Sequence, residues 1–321
     1  MNYKPILIVH GEPNSIFLEI FFKSLRYKKF KNPLVLICSQ KILKFQMKKL
    51  KFKMDIKIIK PSLLNKIKLS NKIINIIDVR YNENLTFQKI SNKSNQYIKD
   101  CFETSFKILK SGITNKLING PISKTSFLNK KFLGITEYLA KETKAIQNAM
   151  LIYNKRLSVC PITTHLPLKF VAKNINKKKI IEKIILIDDF YKKNLGFKPK
   201  IAVLGLNPHC ETVDKFNEDE KILKPSIKYL SSKKINVKGP YSADTAFLKK
   251  NRKNFDVIVG MYHDQVLTPI KTIFEYDAIN ITLGLPFMRI SPDHGPNQKM
   301  LGQNKSNPLS LIRAIEFLEK N

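Results

Sequence analysis

The stretch Asp256-Val-Ile-Val-Gly-Met261, which runs directly into Tyr262-His-Asp-Gln265, decides the fold. Its first half is apolar and β-branched, which predicts a central strand of a parallel sheet buried on both faces. Its second half places His263 and Asp264 just beyond the carboxyl end of that strand. Open α/β sheets bind their ligands at this edge, so these polar residues predict a functional site.

Strand-like and helix-like segments alternate along the rest of the chain, which predicts an α/β protein. Further short buried strands are predicted at 34–38, 73–77, 116–119, 150–153, 157–160 and 200–204, and helices at 91–110, 177–192, 218–230 and 308–318. A break is expected near residues 125–135. We therefore predict a first lobe from residues 1–128 plus 300–321, and a second lobe from residues 129–299 that carries the histidines discussed below.

The bulk properties are those of a globular cytoplasmic enzyme. The 321 residues include no apolar run long enough to span a membrane. The first strand-like segment, Pro5-Ile-Leu-Ile-Val9, has no basic and apolar leader before it, so secretion is not expected. The four cysteines show no Cys-x-x-Cys spacing and are typical of reduced thiols in the cytoplasm.

The formal net charge of +33 does not predict a nucleic-acid-binding protein. Only six of the 58 basic residues are arginine, the residue that nucleic-acid sites favour for bidentate contacts. The lysines are spread from end to end rather than gathered in a stripe. We expect no nucleic-acid partner, but we do expect this positive field to attract small anionic substrates.

Three histidines each follow a predicted strand. His165 comes after the strand ending at Cys160, His209 after the strand ending at Leu204, and His263 after the strand ending at Gly260. Each lies in a polar segment predicted to be a loop. Three imidazoles at neighbouring strand ends would suit Zn²⁺ or a similar divalent ion with a position open for substrate. The alternative, that each histidine only forms hydrogen bonds within its own loop, stays open on spacing alone. His10 and His294 are outside this set.

Seven sequence segments lie in a fixed order between about residues 119 and 302. They are Asn119-Gly-Pro-Ile-Ser-Lys124, Gly134-Ile-Thr-Glu-Tyr-Leu-Ala140, Thr164-His-Leu-Pro-Leu168, Gly205-Leu-Asn-Pro-His209, Gly239-Pro-Tyr-Ser-Ala-Asp-Thr245, Met261-Tyr-His-Asp-Gln265, and Asn280-Ile-Thr-Leu-Gly-Leu-Pro-Phe-Met-Arg289 with Asp293-His-Gly295. In this order the chain resembles the 4-hydroxythreonine-4-phosphate dehydrogenase family of vitamin B6 biosynthesis. The last two segments are long enough to be specific.

The resemblance implies the fold of the isocitrate and isopropylmalate dehydrogenases. That fold has two α/β/α lobes with the active site in the cleft between them. It also implies a homodimer with shared active sites, and an NAD or NADP cofactor. The fold is not that of a Rossmann dehydrogenase, which fits the lack of a Gly-x-Gly-x-x-Gly motif in the sequence.

The resemblance also assigns roles to individual residues. The metal ligands would be His165, His209 and His263, holding Zn²⁺ or, alternatively, Mg²⁺ or Co²⁺. The residues that bind the anionic phosphorylated substrate would be Thr136, Lys271, Asn280 and Arg289. The adenosine end of the cofactor would lie at His294 and Gly295. Candidates for proton transfer are Asp244, Asp264 and Lys271, and the sequence does not rank them.

The implied reaction oxidises 4-phosphohydroxy-L-threonine to 2-amino-3-oxo-4-phosphobutanoate, which decarboxylates to 3-amino-2-oxopropyl phosphate. A bound metal ion would make the substrate alkoxide accessible near neutral pH, and hydride would pass to NAD(P)⁺. Lys271 and Arg289 would supply fixed positive charge for phosphate or carboxylate, with Arg289 suited to bidentate contact. The alternative for Arg289 is a surface ion pair.

The chain departs from the family pattern at four places, one of which is the N-terminal segment, where the family's glycine-rich pattern survives only as Gly11-Glu-Pro-Asn-Ser-Ile16 with Glu19. Ile135 stands where the family has a histidine that contacts substrate, and isoleucine cannot donate a hydrogen bond. Cys210-Glu-Thr-Val-Asp214 replaces a glycine-rich loop, and Pro296-Asn-Gln298 replaces small residues and threonine. These changes leave a second hypothesis: a paralogous dehydrogenase of another phosphorylated hydroxy acid, such as erythronate or threonate 4-phosphate. A third, a catalytically silent metal- or phosphate-binding relative, is disfavoured because every expected metal- and phosphate-binding residue except one is retained.

Overall fold

A computed structural model of the chain describes residues 3–83, 87–128, 132 and 134–321. Contacts divide the chain into two compact units. Unit 1 comprises Met1–Phe132 and Pro286–Asn321, and unit 2 comprises Leu133–Leu285. The sequence placed the return to the first lobe at residue 300. The return at Pro286 is earlier because the strand Met288–Pro292 pairs with Lys116–Asn119 inside unit 1.

The described residues form twelve strands and eleven α-helices. The strands are β1 (Ile6–Val9), β2 (Leu34–Cys38), β3 (Ile56–Ile58), β4 (Ile74–Asp78), β5 (Lys116–Asn119), β6 (Ala149–Tyr153), β7 (Ser158–Thr163), β8 (Ile201–Leu204), β9 (Val237–Tyr241), β10 (Val257–Tyr262), β11 (Ile279–Leu283) and β12 (Met288–Pro292). The helices are α1 (Phe17–Tyr27), α2 (Gln40–Lys49), α3 (Asn95–Lys110), α4 (Ile135–Glu142), α5 (Val171–Asn174), α6 (Lys177–Phe190), α7 (Lys224–Ser232), α8 (Ala243–Ala246), α9 (Lys249–Arg252), α10 (His263–Phe274) and α11 (Leu309–Lys320).

The strands of unit 1 run in the order β3-β4-β2-β1-β5-β12, and every neighbouring pair is parallel. All four residues of β1, Ile6 to Val9, are fully buried, as a strand covered on both faces requires. Complete burial of one such aliphatic side chain contributes about 2 kcal/mol. The loops that follow β1, β5 and β12 therefore lie at one edge of this sheet.

The strands of unit 2 run in the order β11-β6-β7-β10-β8-β9. Strands β7, β10, β8 and β9 are mutually parallel, whereas β6 is antiparallel to both β7 and β11. The predicted central strand is confirmed, because β10 lies between β7 and β8 and its residues Val257, Ile258 and Val259 are fully buried.

Local sequence signals account for where several helices begin. The Ser39 hydroxyl accepts a hydrogen bond from the Ile42 amide at the start of α2, and Asn176 caps α6 in the same way through Lys179.

One local expectation was wrong. His263 was placed in a loop, but it is the first residue of α10, which follows β10 without an intervening loop. Apolar Val266, Leu267 and Ile270 recur at helical spacing after it and are buried, which extends the helix back to His263.

None of the helices in the described ranges is both long enough and apolar enough to cross a lipid bilayer.

Candidate functional site

The three histidines singled out in the sequence follow three neighbouring parallel strands of unit 2. His165 lies just after β7, His263 directly after β10, and His209 after β8. Because the carboxyl ends of parallel strands meet at one edge of a sheet, this order brings their loops together. The Thr163 hydroxyl donates a 2.7 Å hydrogen bond to the Met261 carbonyl and ties the ends of β7 and β10 to each other.

The rings of His165 and His263 face each other, with centroids 5.2 Å apart. Two imidazoles bound to one tetrahedral Zn²⁺ ion at the usual Zn–N distance would have ring centroids about 5 Å apart. The spacing of this pair therefore fits a shared divalent ion. The alternative hypothesis, that each histidine only forms hydrogen bonds within its own loop, does not require the two rings to approach each other.

His263 has a carboxylate partner that fixes its orientation. Its Nδ1 lies 2.6 Å from Oδ1 of Asp264, whose side chain is 79% exposed. A carboxylate on one ring nitrogen leaves the other nitrogen for a metal and sets the ring's tautomer and direction. The structure thus gives Asp264 a contact with a histidine, which suits an orienting role.

The loop that carries His209 is held by two side chains that have no predicted role, Asp219 and Gln265. The carboxylate of Asp219, which is fully buried, accepts hydrogen bonds from the Leu206 and Asn207 amides at 2.8 and 3.1 Å. Gln265, near the start of α10, donates to the Gly205 carbonyl at 2.8 Å and so connects this loop to the end of β10. His209 itself is exposed, and its backbone is left-handed at φ +55°.

The single chain does not gather a complete metal-ligand set. Over the described ranges, no group of three His, Cys, Asp or Glu side chains is arranged to hold a metal ion. The structure brings together His165 and His263, and His209 does not join them in such a group. The residues present therefore fit part of a metal site, namely two of the three predicted ligands.

Glu137 lies beside His165 and has no predicted role. It lies in the first turn of α4, and its Oε1 accepts a 2.9 Å hydrogen bond from the hydroxyl of Thr164, the residue before His165. A Cβ at Gly134 would lie 2.8 Å from His165 Nδ1 and 3.0 Å from Glu137 Oε2. The signal for Glu137 was an acidic residue close after a glycine at a helix start, but the pairing with Thr164 could not be read from it.

The predicted substrate-binding residues of unit 2 have different exposures. Thr136 on α4 is buried, and its hydroxyl lies 3.4 Å from that of Thr282 on β11. Asn280 on β11 has a buried Oδ1 that accepts no hydrogen bond from the described residues. Lys271, in the last turn of α10, and Asp244, on α8, are both exposed. Buried polar side chains are normally satisfied, so the Asn280 oxygen is available to a ligand.

Arg289, on β12 of unit 1, is fully buried, so the surface ion-pair alternative is wrong. Its Nε donates a 2.6 Å hydrogen bond to Oδ1 of Asn119, which ends the neighbouring strand β5 and is itself buried. The Asn119 amide nitrogen donates in turn to the Gly120 carbonyl at 2.8 Å. Asn119 belongs to the segment Asn119-Gly-Pro-Ile-Ser-Lys124 and has no predicted role of its own, and the structure shows that its side chain orients the guanidinium.

The residues predicted to hold the cofactor lie in the loop after β12, at the same edge of unit 1 as the loops after β1 and β5. His294 Nδ1 is 2.9 Å from the Gly295 carbonyl oxygen, and the ring lies 6.5 Å from that of Phe17 at the start of α1. The Ile16 amide donates to the Pro296 carbonyl at 3.2 Å, which fastens this loop to the loop after β1. Gly295 is exposed, and a Cβ there would meet no atom within 4 Å.

His10, which the sequence left out of the metal set, has the environment of a core residue. It is fully buried at the end of β1, and its Nδ1 lies 2.9 Å from the Tyr97 hydroxyl. Burial lowers the pKa of His10 to about 3, so the imidazole is neutral throughout the neutral range.

This burial predicts a specific acid sensitivity. In the unfolded chain His10 takes a proton below about pH 6.5, whereas the folded chain resists protonation down to about pH 3, so acidification through that window favours unfolding. Between pH 6.5 and 5 the free energy of unfolding should fall by about 2 kcal/mol more in the wild type than in His10→Asn. Urea unfolding at both pH values measures this difference, and equal losses in the two proteins would contradict it.

Among the residues that the structure describes, two of the cavities lie within unit 2. One, of about 270 Å³, has Glu137 and Thr164 in its wall together with Gln147, Asn148 and Lys183. The other, of about 570 Å³, lies beside β9 and includes Lys200, Lys238, Tyr241 and Phe255 in its lining. The smaller cavity therefore adjoins the His165 turn, and the larger one contains none of the predicted site residues.

An α/β fold with polar side chains gathered at the carboxyl ends of parallel strands is the arrangement of a metabolic α/β enzyme. The model of the family described as pyridoxal phosphate biosynthetic protein PdxA matches residues 29–318. The chain belongs to this family, and it is an oxidoreductase of the dehydrogenase class.

The chain is similar to curated relatives and to a solved structure over almost its whole length. The chain is 39% identical over 318 residues to a 4-hydroxythreonine-4-phosphate dehydrogenase from a Sulfurihydrogenibium species, covering 97% of this chain and 96% of the relative. It is 31% identical over 325 residues to a D-threonate 4-phosphate dehydrogenase from Salmonella typhimurium, covering 99% and 98% of the two chains. The crystal structure of 4-hydroxythreonine-4-phosphate dehydrogenase from Klebsiella pneumoniae superposes with a TM-score of 0.84 at 28% identity, covering 99% of this chain and all of that one.

A more distant likeness concerns the fold alone. A β-decarboxylating dehydrogenase from Thermococcus kodakarensis superposes with a TM-score of 0.53 at 12% identity, covering 98% of this chain and 82% of that one. The predicted fold class, that of the isocitrate and isopropylmalate dehydrogenases, is confirmed.

Proposed function

We propose that this chain oxidises 4-phosphohydroxy-L-threonine with NAD⁺ or NADP⁺ to 2-amino-3-oxo-4-phosphobutanoate, which decarboxylates to 3-amino-2-oxopropyl phosphate. The observation that carries the proposal is the facing pair His165 and His263 at the carboxyl ends of β7 and β10, in a chain of this family. The relative from Sulfurihydrogenibium, which matches over nearly its whole length, is named for this reaction.

His165 and His263 would hold a divalent ion, with His209 of a second copy of the chain as the third ligand. We propose Zn²⁺ first, with Mg²⁺ or Co²⁺ as alternatives, because imidazole nitrogens suit zinc. When bound, such an ion supplies Lewis acidity, which lowers the pKa of a hydroxyl oxygen. Sharing ligands between copies accounts for the incomplete set in one chain, and it makes the active enzyme a homodimer with shared sites.

The remaining residues bind and orient the substrate. The Thr136 hydroxyl and the Asn280 side chain would form hydrogen bonds with it, and the unsatisfied Asn280 Oδ1 supports this role. Lys271 and Arg289 would bind its anionic groups, helped by the net charge of +33. Because Asp264 is engaged with His263, Asp244 and Lys271 are the better candidates to move a proton to or from the substrate.

His294 and Gly295 would hold the adenosine end of the cofactor. The unobstructed space above Gly295 supports this assignment, since a planar ring could approach the backbone there. We further place the enzyme in the cytoplasm, because all four cysteines are free thiols.

A second substrate is favoured by two observations. Ile135 replaces the family histidine at the start of α4, and one full-length relative is named for D-threonate 4-phosphate. This substrate carries a hydroxyl in place of the amino group. The test is to measure kcat/KM of the purified chain on both substrates with each cofactor, by the absorbance of reduced nicotinamide. A higher value on 4-phosphohydroxy-L-threonine is expected, and turnover of D-threonate or D-erythronate 4-phosphate alone would establish the paralogue.

Substitution of Ile135 distinguishes the two substrates further. If the chain is the B6-pathway enzyme, Ile135→His restores a lost donor, so activity on 4-phosphohydroxy-L-threonine should be retained with an equal or lower KM. If the pocket was rebuilt for another ligand, the added imidazole would need room and a hydrogen-bond partner, and the native reaction should fall about tenfold. Steady-state kinetics on both substrates, before and after the change, make the comparison. A large loss of activity on 4-phosphohydroxy-L-threonine, when that is the better wild-type substrate, would contradict the hypothesis that Ile135 only removes a donor from an otherwise unchanged pocket.

A further inference from the structure

Glu137 occupies an unusual place beside the proposed metal site. Its carboxylate reaches from the first turn of α4 to the turn after β7, where Oε1 accepts the 2.9 Å hydrogen bond from Thr164. Its other oxygen, Oε2, is shielded from solvent and accepts no hydrogen bond from the residues that the structure describes. The helix start favours a negative charge at this position. Because buried polar atoms normally have a partner, we expect this oxygen to interact with a nearby group.

Gly134 brings that carboxylate close to His165. A Cβ added at Gly134 would lie 3.0 Å or less from both His165 Nδ1 and Glu137 Oε2. The imidazole and the carboxylate therefore both lie next to the position where that Cβ would be. The backbone at Gly134 is extended, with φ −163°, a conformation open to any residue. The glycine is therefore required for space. Because glycine has no side chain, the Glu137 carboxylate and the His165 imidazole can both lie against the backbone of residue 134.

The backbone of His165 needs support from its surroundings. Its φ of +39° lies in the left-handed region, which costs a residue other than glycine about 1 kcal/mol or more. The neighbouring residues supply the support, because Thr163 is bonded to the Met261 carbonyl and Thr164 to Glu137. The hydrogen bond from Thr164 to Glu137 connects the turn that carries His165 to α4.

We propose that Glu137 is a positioning residue for the metal site: through Thr164 it holds His165 in the strained turn that faces its imidazole toward His263. This inference rests on the proposed function, since it assumes that the two histidines bind a divalent ion. Glu137 acts through its neighbours, because its Oε1 accepts the hydrogen bond from Thr164, the residue before His165. Its negative charge beside the site also favours a cation there.

The test is a direct measurement of metal affinity on the purified protein, independent of turnover. Metal-free protein is titrated with Zn²⁺ by calorimetry and with Co²⁺ by its visible absorption. Glu137→Ala should raise Kd about 10- to 100-fold, the usual effect of removing such a partner. Glu137→Gln retains a carbonyl acceptor for Thr164 and should recover most of the affinity, whereas Thr164→Val should lose it in part. Glu142→Ala, an exposed acid on the same helix, is the control with unchanged Kd.

The outcomes separate the inference from the proposed function. Loss of binding in His165→Ala with wild-type affinity in Glu137→Ala and Thr164→Val would overturn the inference alone. A wild-type chain that binds neither ion, or a His165→Ala variant that binds as tightly as the wild type, would overturn both. If Glu137→Ala does not fold, Thr164→Val decides, because loss of one half-buried hydroxyl leaves the fold intact. A Kd equal to that of the wild type in Thr164→Val would then contradict the proposal.

Discussion

His165→Ala should lower kcat by at least about 1000-fold and remove the tightly bound divalent ion. The imidazole faces that of His263 with ring centroids 5.2 Å apart, so its loss leaves one ligand from this chain where two are required. A barrier increase of about 4 kcal/mol corresponds to a 1000-fold loss of rate. Turnover and metal content of the purified variant, the latter by elemental analysis, are the two measurements.

The buried His10 provides a matched control for this experiment. His10→Asn removes an imidazole that is neutral and hydrogen-bonded to Tyr97 in unit 1, so the metal content should stay at the wild-type level. His209→Ala and His263→Ala should behave like His165→Ala. Full metal content in any of the three ligand variants would show that the assignment of that histidine is wrong.

Arg289→Lys should lower kcat/KM for the phosphorylated substrate about 100-fold, mainly through KM. A lysine keeps the charge but loses the planar fork, and it cannot reproduce the 2.6 Å bond that the guanidinium Nε makes to Asn119. A hydrogen bond to a charged group contributes about 1.5–3 kcal/mol, which sets the size of the effect. Lys271→Ala, at an exposed position, should raise KM by a smaller factor.

Two further variants serve as comparisons for the kinetics of Arg289→Lys. Asn119→Ala leaves Arg289 in place but removes the acceptor of its Nε, so KM should rise in the same direction. Arg313→Lys alters an exposed arginine on α11 of the same unit and should leave the kinetics unchanged. Wild-type kinetics in both Arg289→Lys and Lys271→Ala would refute substrate binding by these residues.

The sequence predicted eight of the twelve strands, because burial on both faces leaves a strong local pattern; β3, β9, β11 and β12 have no counterpart among the predicted strands. An apolar, β-branched run such as Val257–Val259 can hardly be anything but a central strand, and the structure confirms it between β7 and β8. Helix boundaries were predicted less well. His263 was assigned to a loop because its polar neighbours resemble one, whereas packing of Val266 and Ile270 extends α10 back to it.

The contacts that orient the site could not be predicted in the same way. Glu137 and Thr164 are 27 residues apart, and Asn119 and Arg289 are 170 apart, so nothing local in the sequence pairs them. Such pairs depend on which strands become neighbours and on side-chain geometry at their ends. The sequence placed His165, His209 and His263 just after strands, as the structure has them, whereas tertiary structure decided which side chains touch.

The most direct test of the account identifies the product made by the purified chain. The enzyme is supplied with 4-phosphohydroxy-L-threonine, NAD⁺ or NADP⁺, and Zn²⁺, and the products are determined by mass spectrometry and by release of CO₂. We expect 3-amino-2-oxopropyl phosphate and reduced cofactor in equal amounts, with both lost when a chelator removes the metal. No turnover of this substrate in the presence of metal and either cofactor, or undiminished turnover after complete metal removal, would contradict the central claim.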